Sequence, residues 1–583
     1  MRLRLAQNIC CLVLFFCAAI PSFAQCPFPA PNSAIVLTYT FDPIVEGNQM
    51  TLRVTLEFNG NSKGTDKLIL PSDWAGQQHL ENSIGEIKAL SAGTTIADTS
   101  SPSEKLIRFS PNTLVRISYV LKKDWEGPLN GSTRFRADLS PSYFHLVGTS
   151  SLVYPKLKSF EPVDARFNWQ QLPPTWSLAT SFGADNRCQS FHGLWTYALN
   201  SLFVGGDYRI RRTGTSGHAL IFAIRGQWSF TDDQWITDVT RIVEFERRFW
   251  HDDNFPYLLV TLTPVDKERG DTGGTALTNA FMMHLSRQDD LPEETLAILA
   301  HEEFHLWNPD KIGLPPGSDF PVSWFFEGFT LFYQDVMLLR AGVIDFPTYL
   351  EVTNRKLQEY ALSDGVNATL ADFIRTQTAH QSALDQLDYK RGAVLALWLD
   401  STIRARTENK SSLDDLMFRM VDQNSQYEKL YHHPLLLTNR RIFHTVSQMA
   451  GGAIAKSLRK YVEKGGTIPI PENALGPCAQ SHIERIPRFD LGFDIASLTS
   501  PQKIISGVEP NSEAYKAGVR DGQQAQGWSI YGGDISKQVR VTIKVPNGKR
   551  NITYYPRGAE APVQQFSLDQ TKYAASPSQC SPR

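Results

Sequence analysis

Apolar and polar residues alternate over residues 51–58, where Leu52, Val54, Leu56 and Phe58 interleave with Thr51, Arg53, Thr55 and Glu57. A period of two puts each set on one face of a strand, so the segment predicts a half-buried β-strand. Val115, Ile117, Tyr119 and Leu121 repeat the pattern, and Gly, Pro, Asn and Asp clusters punctuate the runs. Residues 25–162 therefore read as an N-terminal β domain, a sandwich of antiparallel strands. From 163 to 322 the pattern turns mixed. Tyr257 to Val265 predicts a strand, and Gly273-Gly274 opens another run through Thr275 to Leu285.

Helical patterning follows. Leu296, Ile298, Leu299 and Ala300 make a largely apolar helix. Asp290, Pro292 and Glu293 supply start signals and Pro309 a stop. A second helix is bounded by Ser323 and by Ala341-Gly342. Residues 323–468 read as helical, most clearly over Leu384 to Ala405 and Ser412 to Val421. Pro469, Pro471 and Pro477 mark a linker over 469–487, before a further small domain over 488–556 and a tail over 557–583. The chain is thus expected to be multidomain α+β.

The first residues read as a signal peptide, 1–24. Arg2 and Arg4 precede the apolar run Ile9 to Ile20, and Ser22-Phe23-Ala24 gives a small-x-small cleavage site. No later segment has the ~18 apolar residues of a membrane helix. A soluble exported protein, periplasmic or secreted, is expected. Cys26, Cys188, Cys478 and Cys580 remain after cleavage, and an oxidising compartment allows two disulfides in any of three pairings. The formal charge is -2 with no basic patch, which argues against a nucleic-acid partner.

The chemistry is concentrated in His301-Glu302-Glu303-Phe304-His305. Residues four apart share a helix face, so His301 and His305 can present two imidazoles to one metal ion. Glu302 falls beside them, where a carboxylate can take a proton from water. Catalytic zinc takes three protein ligands, and Glu327, set among Phe325, Phe326 and Phe329, is the natural third. An acid in an apolar setting needs a partner, and a metal supplies one. One Zn2+ per chain and a hydrolytic reaction are expected. A second reading is a non-catalytic peptide binder with a retained zinc site; a binder, however, needs no general base.

Two wider resemblances follow. Asp490-Leu491-Gly492-Phe493 and the run from Val508 to Gly522 resemble a PDZ domain, with Leu491, Gly492 and Phe493 as the loop that holds a peptide's C-terminal carboxylate. The segment departs from that pattern at Gln523-Gln524-Ala525-Gln526. His301 through Asn308, Trp324 through Thr330, Arg340-Ala341-Gly342 and Tyr389-Lys390-Arg391-Gly392-Ala393 resemble the glycyl aminopeptidase family of gluzincin-type metallopeptidases. The resemblance implies a thermolysin-like catalytic domain, His301, His305 and Glu327 as zinc ligands, and Glu302 as general base. It also implies Tyr389 as the hydroxyl that stabilises the oxyanion, with a peptide or protein substrate along Gly273, Gly274, Thr275, Ala276 and Asn279. The family usually shows Gly-Gly-Leu-Glu-His on that strand, its glutamate holding the substrate's free amine; here Ala276 stands at the glutamate position and Leu277 at the histidine. An endopeptidase, or a peptidase for blocked N-termini, is therefore the alternative within the enzyme class. Glu303, or an acid from another loop, remains a possible substitute anchor.

Overall fold

The computed structural model describes residues 26–158, 161–214, 218–252, 257–265, 272–287, 293–316, 320–378, 384 and 386–580. The signal-peptide segment and the expected helix-start residues Asp290 and Pro292 lie outside them. Two compact units are present: residues 1–126 with 135–208, and residues 127–134 with 209–583.

The first unit is all β apart from short helical turns. Its main sheet contains β1 (Val36–Glu46), β2 (Gln49–Asn59), β3 (Ile84–Ala89), β4 (Leu114–Lys122), β5 (Pro162–Trp169) and β6 (Cys188–Leu194), in the order β6-β5-β1-β2-β4-β3. The alternation over 51–58 lands as read: Leu52, Val54, Leu56 and Phe58 point into the core. Each such side chain contributes about 1.5–3 kcal/mol of burial. The unit extends past the expected boundary at 162. Val163, Ala165, Phe167 and Trp169 alternate inward on β5, which pairs in parallel with β1, and Trp169 stacks on Phe41 with ring centroids 4.2 Å apart. Cys26 pairs with Cys188, fixing the start of the described chain to β6.

The second unit holds a five-stranded sheet of β7 (Arg209–Thr213), β8 (Ala219–Ile224), β9 (Tyr257–Val265), β10 (Gly273–Leu277) and β11 (Ala280–Ser286), in the order β7-β8-β9-β11-β10. β8, β9 and β11 run parallel, and β10 returns antiparallel on β11 as the sheet edge. The central strand β9 is buried almost throughout, as its largely apolar sequence allows. Against this sheet lie α1 (Asp232–Phe249), α2 (Glu293–Phe304) and α3 (Ser323–Arg340). The helical part continues with α4 (Phe346–Ala361), α5 (Leu387–Arg406), α6 (Leu413–Tyr431), α7 (Asn439–Ala450) and α8 (Gly452–Lys464). Ser412 caps α6 in a capping box with Asp415.

The C-terminal segments depart from expectation. β12 (Ala479–Phe489) pairs along its length with β16 (Arg557–Leu568), so the end of the expected linker and the start of the expected tail form one ribbon. Phe566 is buried in the helical core, and its backbone makes two bonds, 2.7 and 2.8 Å, to the Asn354 side chain on α4. Cys478 pairs with Cys580. Between the ribbon strands lies a small core built on α9 (Ala496–Thr499), α10 (Glu513–Ala517), β13 (Ala525–Ser529), β14 (Val539–Val545) and β15 (Gly548–Tyr554).

The expected carboxylate-binding loop, Leu491 to Phe493, lies at the edge of that small core. Leu491 and Phe493 are buried in it. The Gly492 N–H donates to Asp490 Oδ1 at 2.7 Å, and the Asp494 N–H to the Ser506 carbonyl at 3.0 Å. Amides already satisfied within the turn are not offered to a peptide carboxylate. Helix α9 follows the loop where a peptide-pairing strand would be needed, and residues 530–538 between β13 and β14 form only turns and bends.

Candidate active site

His301 and His305 lie at the C-terminal end of α2, whose opposite face buries Leu296, Leu299, Ala300 and Phe304. Regular helix ends at Phe304, before the expected stop at Pro309. The turn that follows keeps His305 facing His301, with Nε2 atoms 3.1 Å apart. Glu327 enters from the first turns of α3, its Oε2 lying 3.3 Å from each of those nitrogens. Donors on a tetrahedral zinc at ~2.0–2.1 Å lie about 3.3 Å from one another. The three donor atoms thus already have the spacing a zinc ion requires, and they form a group that could hold a metal ion.

The surroundings set the tautomer and charge. His305 Nδ1 lies 2.7 Å from the Asn308 carbonyl, so the ring carries its proton there and leaves Nε2 as an electron-pair donor. The Asn308 side chain is buried and donates to the Phe326 carbonyl and Thr330 Oγ1, both at 3.2 Å, tying the turn after α2 to α3. Burial pushes the Glu327 carboxyl up, but the His305 and His301 imidazoles outweigh it and hold it well below the usual range. Burial likewise lowers His305, and the Glu327 carboxylate reverses this, raising the imidazole to about 9. The site is one where an anionic carboxylate and two imidazoles converge in a dry pocket that draws a cation.

Glu302 Oε2 accepts from the Ala276 N–H at 3.0 Å. That bond fixes which edge of β10 is free. In an antiparallel strand a residue's N–H and C=O point to the same side, and neighbours alternate. Gly274 and Ala276 therefore face away from β11, toward α2, while Gly273, Thr275 and Leu277 face β11. Asn279 lies in the turn after β10 with φ +49°, and its carbonyl accepts from the Leu259 N–H at 2.9 Å. Its backbone serves the sheet, away from the free edge.

Tyr389 reaches the site through a helix crossing. A Cβ on Gly328 would lie 2.3 Å from the Cα of Gly392, and one on Gly392 would lie 2.0 Å from the Trp324 carbonyl oxygen. α3 and α5 meet backbone to backbone there, which only glycine allows. Tyr389, one turn before Gly392, packs its ring on His301 with centroids 6.0 Å apart. Burial first, then the Glu327 charge, raises its hydroxyl far above the usual range, so it stays a protonated donor.

Residues 294–383 match the M61 glycyl aminopeptidase family. The match spans His301, Glu302, His305 and Glu327, and stops before Tyr389. The chain is a zinc metallopeptidase. Among solved structures, the peptidase is similar to an aminopeptidase N family protein from Idiomarina loihiensis, at 18% identity over 94% of this chain and 100% of that one, with a TM-score of 0.69. That likeness shows the fold. An M1 zinc metallopeptidase from Deinococcus radiodurans is 15% identical over 75% of this chain and 95% of that one, with a TM-score of 0.46. No curated protein matches the chain.

Glu303 is not placed to meet a substrate amine. It is 2% exposed and turned toward Glu246 and Arg247 on α1. Burial raises its carboxyl to about 7, with Arg247 pulling the other way. Asn308, Gly328 and Gly392 support the site in ways the sequence reading did not assign. The signal was present in the motif strings, where Asn308 follows His305 by three and a glycine follows each of Glu327 and Tyr389 at short spacing.

Proposed function

We propose that the peptidase is exported and hydrolyses peptide bonds at a zinc site held by His301, His305 and Glu327. The observation that carries this reading is the donor triangle of 3.1, 3.3 and 3.3 Å beside a glutamate tied to a free strand edge. Two disulfides fit an exported chain, and no helix of the described residues is long and apolar enough to cross a membrane. Zinc, when bound, supplies a Lewis acid that polarises the scissile carbonyl and acidifies water.

The chain's own groups do the rest. An extended substrate pairs with the outward N–H and C=O of Gly274 and the C=O of Ala276 on β10, the Ala276 N–H serving Glu302. Glu302 takes a proton from the attacking water and delivers it to the leaving nitrogen. The Tyr389 hydroxyl donates to the oxyanion as it forms. Ala276 carries no carboxylate and Glu303 is buried, which favours a cleft without a fixed partner for the substrate's amine. Endopeptidase action or cleavage behind a blocked N-terminus is therefore the finer reading.

Metal analysis with a peptide-library digest tests the proposal. His301→Ala and Glu327→Ala should each lose most of the zinc, and Glu302→Gln should keep it while losing nearly all hydrolysis. Zinc-free wild type prepared without chelators, or an active Glu302→Gln, would sink the assignment.

A further inference from the structure

A cavity of about 1030 Å³ opens in the helical part between α6, α7 and α8, and contains none of the residues assigned to the zinc site. Its floor is Phe443, 4% exposed, and its rim carries Leu430, 73% exposed, and Leu436, 50% exposed. The volume is at the top of the range for small-molecule sites. Exposed leucines around a buried aromatic floor mark a surface built to be covered.

The charge is one-sided. Arg440, Lys456 and Arg459 line the groove, and no Asp or Glu among the described residues does. None of the three has an ion-pair partner among the described residues; Arg459 instead lies over the Phe443 ring, 5.1 Å from its centroid. Beneath them Arg441 is held only by neutral oxygens, the Ile312 and Met420 carbonyls at 2.7 Å each and Gln423 Oε1 at 3.4 Å. Burial pulls its guanidinium down to about 10 with no acid to hold it up. Four cations with no carboxylate around an apolar floor favour an occupant that is both anionic and apolar.

We propose that this groove docks an acidic amphipathic helical segment of a partner protein. Apolar side chains of the segment would sit over Phe443 between Leu430 and Leu436, and its carboxylates would meet Arg440, Lys456 and Arg459. Three helices enclosing an apolar channel suit an incoming helix. The docking surface abuts the active-site helix. Phe443 stacks on Trp324, centroids 6.2 Å apart, and the Trp324 indole N–H donates to Asn439 Oδ1 at 2.8 Å. Trp324 lies on α3, three residues before Glu327. The groove does not depend on the peptidase reaction, and its test is a binding measurement.

The probe is a dye-labelled peptide of about 15 residues, roughly four helical turns, with leucines on one face and glutamates on the other. A matched peptide carries lysines in place of the glutamates. Fluorescence anisotropy with the full-length mature protein should show saturable binding of the glutamate peptide that weakens with salt, and none of the lysine peptide. Arg440→Glu with Arg459→Glu, both exposed, should weaken binding by at least about tenfold while thermal unfolding and zinc content stay unchanged. Lys456→Glu alone should weaken it less, giving a second variant. Equal binding of the lysine peptide, unchanged affinity in both variants, or no binding at millimolar peptide would overturn the proposal. So would binding of oleate vesicles with no binding of the glutamate peptide, which would assign the groove to lipid.

Discussion

Gly392→Ala is the most direct test of how the fold places Tyr389. The new methyl would lie 2.0 Å from the Trp324 carbonyl oxygen and 2.6 Å from the Gly328 Cα. Real Cβ contacts stay above 3.0 Å, so the tighter gap must open by about 1 Å. Both neighbours are helix backbone, and no flexible side chain can swing aside. The relief is a separation of α5 from α3. Tyr389 rides on α5, and Glu327 on α3 immediately before Gly328, so the displacement falls between the hydroxyl and the zinc site. Overpacking of this kind costs about 1–3 kcal/mol of stability. A misplacement of about 1 Å of a group that acts in the transition state costs roughly 10²-fold in rate. Steady-state hydrolysis of a fluorogenic peptide should show kcat reduced about 100-fold, with a lowered unfolding temperature. Zinc should remain at one per chain, because the ligands come from α2 and α3 alone. Gly532→Ala, where nothing lies within 4 Å, is the control and should be neutral. Wild-type kcat in Gly392→Ala would refute the crossing as the device that positions Tyr389, and loss of zinc would show that it holds the ligands instead.

Tyr389→Phe should lower kcat and kcat/KM together by about 10²–10³-fold, as expected for an oxyanion donor; a change confined to KM would make the tyrosine structural. Glu246 is fully buried with neither carboxylate oxygen bonded, and burial and then Glu303 raise its pKa well above the usual value. The folded state therefore keeps a proton that the unfolded chain releases above about 4.5, so the group costs nothing at low pH and increasingly destabilises as pH rises, by up to about 1.4 kcal/mol per unit below its folded pKa. Glu246→Gln should flatten the fall in stability between about pH 5 and 8 measured by denaturant unfolding, and an unchanged slope would place the titration elsewhere. An N-acetylated peptide should be cleaved at least comparably to the same peptide with a free amine, and Ala276→Glu should shift preference toward the amine; a strong wild-type preference for the free amine would reveal another acid in the cleft.

Much of the site was legible because it is local. The imidazoles four apart, the apolar face of α2 and the aromatic setting of Glu327 are properties of short segments, and helix geometry converts them into a donor triangle. Strands with strict alternation, such as Gln49–Asn59, were legible for the same reason. What the sequence hid is long-range. Nothing in 479–489 or 557–568 alone says that they pair, since each is a polar, largely exposed strand whose partner lies across the intervening small core. The Leu491-Gly492-Phe493 string reads as a binding loop, yet its function depends on whether its amides are free, and Asp490 occupies one of them. The Gly392 in the Tyr389 motif reads as a turn or a kink. Its role, contact with another helix's backbone, exists only once α3 is in place.

The same division between local and long-range features separates hydrolysis from specificity in this peptidase. His301, His305 and Glu327 are set against helices whose other faces belong to the main core, so the donor triangle is tied to the packing. Ala276 is on an edge strand, half-buried, and its N–H already serves Glu302. A side chain there can change with little effect on the core or on the donor triangle. A charge-assisted contact to a substrate ammonium is worth about 1.5–3 kcal/mol, or roughly 10–150-fold in discrimination. On the proposed reading, its absence lowers preference for a free amine by that factor without a comparable loss of chemistry. Glu303, next to Glu302, cannot compensate by rotation, because its buried carboxyl lies toward Arg247 on α1. On the proposed reading, a cleft with its reactive groups in place and no carboxylate at position 276 would accept an extended chain on both sides of the scissile bond, and the acetylated-peptide comparison decides it.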